Sequence, residues 1–538
     1  MSDKFKLLAK QLTTQPAKMN HEGQELVEVS VPVSTAAAIY ERVRNTLDYQ
    51  EEHLLRRNAI LRIVKRYLSE SENLHDVGPD LIKELVWAKY FPGQEIPMQL
   101  GEDLNPILSK YTPLFKAADG MGERREAVYQ WILDVLATEI EYTVAPNQGE
   151  EALVAYMYDE IKQRSDWDPG LKITEEQRDL TLFIAVHKAL VKSNHAILRY
   201  RVLTLYYPKW VGAADEKLVE QLALHLGEIY LAVERQIFSP LTDRVSKLLR
   251  RKAGIFRVLG EALITLQKTE NGSKAKGNNG EKKSGVDWTD PEVIDSAVAQ
   301  SLALRTKEFR VRLRRTVVRT VLFMFLTKMI LAILFELPYD LLLHQGEIIL
   351  YPLGINILFP PLLLALIGLT VGVPEKKNTQ VYQEVVRALA VKADHAALHL
   401  RIRTNHRSSL KKVFDAIYGV LFVAIYAGIA IGLHLANFNV VSIAFFLFFL
   451  SLVTFFGIRI RYSVKDIVAK DVRSGLFGTI FDILLIPIVR AGSWLSAKVS
   501  KINIFIYFFD FIIEAPLKVA IEFIEGWIAF VRNKKEEI

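Results

Sequence analysis

Residues Val317–Leu337 read VVRTVLFMFLTKMILAILFEL. A helix crossing the hydrocarbon of a bilayer needs roughly 20 predominantly apolar residues, and this stretch supplies them. Upstream, Thr289, Asp290, Pro291 and Glu292 form a strong helix start, with proline in the first turn and Glu292 placed for a capping box from Thr289. No breaker intervenes before Pro338, so one continuous helix is predicted to run out of the aqueous phase into the membrane. Three more apolar stretches follow at Ile348–Val373, Val413–Leu435 and Val440–Ile458. The second half of the chain therefore reads as four membrane spans.

Flanking cations predict the orientation. Arg305, Lys307, Arg310, Arg312, Arg314, Arg315 and Arg319 crowd the approach to span 1, and Lys376, Lys377, Arg387, Lys392, Arg401, Arg403, Arg407, Lys411 and Lys412 lie between spans 2 and 3. Arg459, Arg461 and Lys465 follow span 4. The two opposite connections carry only Asp340 and Glu347 near His344, or no charge from His434 to Asn439. An excess of Lys and Arg marks the cytoplasmic side. The N-terminal region, the middle loop and the C-terminus are thus expected in the cytosol of a plasma (inner) membrane, with two short hairpins outside. Met1–Gln11 is basic but has no apolar run of signal-peptide length, so no cleaved export signal is expected.

Before the spans, helices dominate. They are predicted from Ser34 or Thr35 through Leu68, and over Asp80–Tyr90, Glu123–Tyr142, Glu150–Arg164, Thr174–Tyr206 and Asp215 to about Leu266, on apolar periodicity and capping residues. Glu25–Val33 alternates like a strand, but Pro32 demotes it to an edge ribbon. The fold class is all-α: an N-terminal cytosolic helical bundle or array over residues 1–266, then a four-span membrane domain with C-terminal interfacial amphipathic helices. Residues 267–288 have no large apolar run to offset ordering entropy and read as a disordered linker. The domains that follow are 289–373 with spans 1 and 2, a basic helical loop at 374–412, spans 3 and 4 within 413–458, and cytosolic-side helices over 459–538. In this last region Leu476–Val489 is apolar apart from Asp482. Further on, Asp510, Glu514, Lys518, Glu522 and Glu525 recur at steps of four and three, one polar stripe on an otherwise apolar helix. If both segments crossed the membrane, Lys498 and Lys501 would face outside against the charge rule, so they are read as one re-entrant or interfacial segment and one long interfacial amphipathic helix.

Two stretches are alike, LLRRNAILRIV from Leu54 and LLRRKAGIFRVL from Leu248. Both are basic amphipathic helices. Anionic lipid or nucleic acid could recruit such faces, but a solvated bundle face explains them better and nucleic acid is not an expected partner.

The chain is 538 residues long, half hydrophobic, with a net charge of +7 and no cysteine. That excludes disulfide scaffolds, Cys-ligated metal sites and disordered chains. No GxxxxGK[ST], HExxH or GxSxG motif is present, and Gly120–Met121–Gly122 lacks the strand and third glycine of a dinucleotide loop, so enzyme readings have no anchor. No cofactor is expected.

The candidate residues lie in the membrane half. Lys328, midway along span 1, is an expensive ionisable group that suggests a polar path, an inward pair with a carbonyl or a carboxylate, or a helix shifted enough for snorkelling. Asn356, Pro360 and Pro361 in span 2 suggest a kinked or broken helix of the kind that forms transporter sites. With Asp510, Glu514 and Glu522 they make up the candidate path. Ala424, Gly428 and Gly432 in span 3 form a small-residue face for close packing, on span 4 or on a second copy of the chain. His395 and His399 form an i, i+4 pair that could hold a metal only with further ligands, so they are weak metal candidates. The expected function is a multi-pass membrane protein with a cytosolic interaction or assembly domain for a protein partner or a homo-oligomer. A channel or transporter is the alternative.

Overall fold

The computed structural model describes residues 2–13, 52–71, 74–88, 90–91, 96–276, 290–343, 350–372, 375–404, 411–464, 467–468 and 476–499. The chain forms two compact units. One combines residues 1–305, 374–405 and 465–470; the other combines 306–373, 406–464 and 471–538.

Among the described residues, the first unit holds eleven α-helices that precede residue 290: α1 (Asp3–Thr13), α2 (Glu52–Ser71), α3 (Gly78–Trp87), α4 (Gln99–Asp119), α5 (Arg125–Val144), α6 (Gln148–Lys162), α7 (Glu175–Leu190), α8 (His195–Tyr206), α9 (Glu216–Leu224), α10 (Leu226–Ile237) and α11 (Pro240–Lys276). Their starts follow from local chemistry. The Asn147 and Asn194 side chains accept N–H bonds at the heads of α6 and α8, and Thr174 with Gln177 completes a capping box on α7. Apolar faces of α2, α3, α4, α5, α8, α9 and α10 close over one core that includes Ile60, Leu81, Leu108, Trp131, Leu136 and Trp210, all at most 1% exposed. Burial of this size is the main stabilising term of such a bundle.

The loop between the second and third apolar helices also belongs here. After α15 (Glu375–Val391) the chain makes a short turn and enters strand β2 (Leu400–Ile402), which pairs in parallel with β1 (Ser165–Trp167) in the register Ser165 to Leu400 and Trp167 to Ile402. The Asp168 carboxylate locks the junction, accepting from the Thr404 N–H (2.8 Å), the Thr404 hydroxyl (2.7 Å) and the Gly170 N–H (3.0 Å). Those bonds hold its pKa down at about 2. Arg387 on α15 grips Asp295, and the Ile467 carbonyl accepts from Asn378 Nδ2 and Tyr382 Oη, each at 2.9 Å. Segments 374–405 and 465–470 are therefore integral parts of this unit.

Among the described residues, the second unit holds four helices long and apolar enough to cross a membrane. α12 (Pro291–Leu331), whose first turns belong to the first unit, passes through a π turn (Ala332–Glu336) into α13 (Leu337–Leu343). α14 (Leu350–Thr370), α16 (Lys411–Leu435) and α17 (Val440–Ser463) follow, and α18 (Leu476–Val499) packs along α17. At Gly492 of α18 an added Cβ would lie 2.0 Å from the Ser451 carbonyl oxygen, so only glycine permits this approach. The all-α class with an apolar four-helix second half is what the sequence predicts.

Several boundaries differ from the expectations. Thr174–Tyr206 is two helices, broken where Lys192 takes φ +52° and Asn194 starts α8. Asp215–Leu266 is three, interrupted at His225 and before Pro240, because a residue preceding proline disfavours helical φ/ψ. Helices α1 and α4 are not among the predicted elements. Pro106 and Pro113 both sit inside α4. The α11 helix carries ten residues into the stretch read as linker, up to Lys276. Asp290, whose carboxylate accepts the Glu292 N–H at 2.9 Å, caps α12. The Glu25–Val33 ribbon, the start of the helix expected from Ser34 and the remainder of the linker lie outside the described residues.

Candidate functional site

Lys328 and Glu336 are eight residues apart, which on a regular helix sets them about 80° apart. The π turn Ala332–Glu336 inserts one extra residue and returns Glu336 to the face of Lys328. The two side chains form a salt bridge through Glu336 Oε1, and neither exposes any surface. The ammonium also lies 4.9 Å from the Phe445 ring centroid and 5.0 Å from that of Phe449, both on α17, an arrangement in which the ring faces stabilise the cation.

The other carboxylate oxygen is held from two different helices. Asn356 Nδ2 on α14 donates to Glu336 Oε2 (2.5 Å) and to the Ser442 carbonyl (3.1 Å), and Ser442 Oγ on α17 donates to Oε2 (3.2 Å). Asn356 is fully buried, and its Oδ1 has no hydrogen-bond partner. The amide cannot simply be turned over, because Oδ1 would then face a carboxylate and a carbonyl. Beyond Ser442, the Ser442 N–H donates to Asn439 Oδ1 (2.7 Å) and Asn439 Nδ2 donates to buried Asp340. A line of polar groups thus connects α13, the head of α17, α14 and the middle of α12 inside an apolar unit.

Of the predicted path residues, the structure brings Lys328 and Asn356 together. Pro360 and Pro361 are buried within α14, which stays helical across them, so of the kinked or broken helix expected from the sequence the break is not present. Their effect is local: Pro360 has no N–H to give to the Asn356 carbonyl, four residues back. Asp510, Glu514 and Glu522 lie outside the described residues. Glu336, the acceptor at the centre of the cluster, is absent from the sequence-based candidates. The available signal was an acidic residue inside an apolar span, but straight-helix periodicity puts it off the lysine's face.

Ala424, Gly428 and Gly432 are exposed on α16, and among the described residues an added Cβ at either glycine meets nothing within 4 Å and no packing of this face on span 4 is seen; a second copy of the chain is the other partner expected for it. His395 and His399 do not share a helix face. They flank a single 3-10 turn, His395 Nδ1 accepting the Ala397 N–H (3.1 Å) and His399 Nε2 pairing with Asp394 (2.8 Å). Both rings serve the local turn, and no cluster of three metal-ligating residues exists among the described residues.

The first unit has its own buried charges, each engaged internally. Lys110 Nζ binds Glu139 Oε1 (2.6 Å) and the Gly212 carbonyl (2.7 Å), while Tyr111 Oη donates to Glu139 Oε2 (2.6 Å) and accepts from Trp210 Nε1 (3.0 Å). Burial lowers the Lys110 pKa and raises those of Glu139 and Tyr111. Arg56 grips Glu141 bidentately at 2.8 Å, and Arg57 and Arg199 both engage Asp134. In the second basic stretch Lys252 donates to the Ala397 carbonyl, and Arg257 donates to the Ala189 and Leu190 carbonyls. The cations read as a solvated face are therefore in large part internal. No family model, curated protein or solved structure matches the chain.

Proposed function

We propose that the chain is a multi-pass protein of the plasma membrane, its termini cytosolic, whose helical unit is an interaction and assembly platform held at the cytosolic face. One observation carries this reading. The segments before span 1, between spans 2 and 3 and after span 4, each separated from the next by an even number of spans, fold into one unit. Even numbers of crossings return a chain to the same side, which agrees with the lysine and arginine bias. The buried charges of that unit hold its own helices and loops, whereas Leu224 (80% exposed), Val211 (56%) and Phe238 (51%) offer apolar contact area.

Deleting residues 1–266 is a poor test, because it would strip the partner surfaces from α15 and β2. Photo-crosslinkers placed at Leu224 and Phe238 in the full chain, in native membranes, are the better one. A discrete crosslinked species, lost with Leu224→Glu or Phe238→Ser, is expected. Uncrosslinked chain at every position would overturn the platform.

A second reading, transport of charge through the spans, is favoured by the Lys328, Glu336 and Asn356 cluster with its unpaired acceptor. Ionisable groups inside a membrane are costly and commonly serve ion or proton pathways.

A further inference from the structure

We propose that the outward stripe of α12 is a seat for an anionic phospholipid of the cytosolic leaflet, with Arg312 and Arg315 on its phosphate and Leu322, Leu326 and Ile330 along an acyl chain. The seat rests on the membrane reading and its orientation, and is independent of any assembly or transport role.

Steps of three and four divide α12 into two faces. Arg314, Val317, Val321, Met324 and Lys328 fall on one. Contacts settle that this face looks inward. An added Cβ at Gly368 of α14 would meet Val317 Cγ1 at 2.8 Å, and Val321 and Met324 share a core with Leu364 of α14 and with Phe449 and Val453 of α17. On the other face Arg312, Arg315 and Arg319 continue into Leu322, Leu326 and Ile330, within an arc of about 80°. All six are exposed, the three apolar side chains by 57%, 44% and 52%. The apolar end of the stripe therefore looks toward lipid, and the arginines stand where it leaves the hydrocarbon.

Two features set this stripe apart from the ordinary cation excess of a cytosolic edge. The first is spacing. Arg312, Arg315 and Arg319 are like charges at i, i+3 and i, i+4, an unfavourable arrangement unless an anion lies among them. Among the described residues no carboxylate supplies it: neither Arg312 nor Arg315 makes an ion pair, and exposed Glu308, one turn before Arg312, is not paired with it. The buried cations of the first unit, by contrast, are matched by carboxylates. The second feature is that charge and apolar contact belong to one face of one helix. Arg312 and Arg315 are about 4.5 Å apart along the axis, close enough for both guanidinium forks to reach one phosphate. Arginine suits that ligand better than lysine because its planar fork matches phosphate oxygens in pairs. A phosphate held there sends its acyl chain down the apolar end of the same stripe. Anionic lipid is concentrated in the cytosolic leaflet, which is the leaflet the proposed orientation brings to this end of α12. A soluble phosphate would use the arginines and leave the apolar end unused.

Photo-crosslinking of the full chain in phosphatidylcholine nanodiscs tests this. One probe is phosphatidylglycerol with a diazirine in an acyl chain, added as a minor component; the other is phosphatidylcholine with the same diazirine chain. Labelled positions are mapped by mass spectrometry. The phosphatidylglycerol probe is expected to be enriched on residues 322–330 over Val420 and Val423, exposed apolar positions of α16, while the phosphatidylcholine probe labels both helices alike. Arg312→Gln and Arg315→Gln should each lower the enrichment about fivefold, the worth of one cation at an anionic surface. Arg314→Gln removes the same charge from the inward face and should leave the enrichment unchanged. Equal losses in all three variants would overturn the seat in favour of diffuse attraction, and so would equal labelling of α12 and α16 by phosphatidylglycerol in the parent chain. Enrichment abolished by excess inorganic phosphate at constant ionic strength would overturn it in favour of a soluble anion. Phosphatidylcholine labelling of residues 322–330 in every variant reports that the fold is kept and that α12 lies in lipid. Its absence from the parent chain removes the membrane reading and the seat together; its presence without phosphatidylglycerol enrichment removes the seat alone.

Discussion

Lys110 and Lys328 are both buried against a glutamate, and the two pairs differ in what completes them. Glu139 keeps the Tyr111 hydroxyl (2.6 Å) and the Gly212 N–H (3.0 Å) as well as Lys110, so its oxygens are well supplied. Lys110→Met leaves that carboxylate buried without its counter-ion, and breaking a buried pair typically costs about 3–5 kcal/mol. The expected outcome is a large fall in the thermal stability of the first unit, with most of it restored in Lys110→Met/Glu139→Leu, read by hydrogen exchange of α4 and α5 amides; a single mutant as stable as the parent would contradict the assignment. His187 on α7 poses the opposite problem. It is 5% exposed, its Nδ1 has no partner and it packs edge-on against Phe183, so burial depresses its pKa to about 3. A base held neutral in the folded state binds its proton only on unfolding. Stability from this residue is therefore present above the unfolded value near 6.5 and declines as pH falls from about 6.5 toward about 3, with a ceiling of roughly 4–5 kcal/mol. His187→Phe is expected to flatten the melting temperature against pH over that window relative to the parent chain; parallel curves would refute it.

At the scale of elements, glycine contacts separate packing that is made from packing that is merely offered. In α18 the Gly492 position has the Ser451 carbonyl 2.0 Å and Phe455 Cβ 2.7 Å from an added Cβ, both on α17. Ser451 is itself tied to α16 by a 2.6 Å hydrogen bond between its Oγ and Tyr426 Oη, so the three helices meet there. Gly492→Ala must push α18 off α17, an overpacking cost of about 1–3 kcal/mol. Gly428→Ala and Gly432→Ala meet no atom of the described residues and should leave the thermal stability of the detergent-solubilised chain unchanged or slightly raised, since alanine is the better helix former. Equal losses at Gly492 and Gly428 would show that the α16 face is packed after all. The sequence alone favoured the reverse emphasis. Three small residues at steps of four are a visible pattern, whereas the single Gly492 becomes meaningful only once α17 is placed beside it. Pro360 and Pro361 likewise both sit within one helix, because neighbouring structure tolerates what local propensity opposes.

At the scale of the molecule, what was legible is what one dimension records. Run lengths of apolar residues give four candidate spans to within a few residues of the helices found, and cation counts give the orientation proposed above. The assembly of residues 374–405 with the first unit was not legible, because a three-residue strand such as Leu400–Ile402 has no periodicity and finds its partner Ser165–Trp167 more than 200 residues away. Glu336 was missed because a π turn has no sequence signature comparable to a cap or a proline. The composite first unit makes the topology a stringent claim, since one reversed crossing would tear the unit apart. The chain has no cysteine, so a single introduced thiol reports without background. Val391, 65% exposed at the end of α15, and Leu342, 82% exposed on α13, lie at opposite ends of the route through span 2. In right-side-out membrane vesicles an impermeant maleimide is expected to label Leu342→Cys without permeabilisation and Val391→Cys only after it. Labelling at a third site, Lys217→Cys on α9, must then follow Val391→Cys, because both residues belong to one folded unit. If Lys217→Cys and Val391→Cys reacted from opposite faces, neither the four-span reading nor the composite unit could stand together with the other.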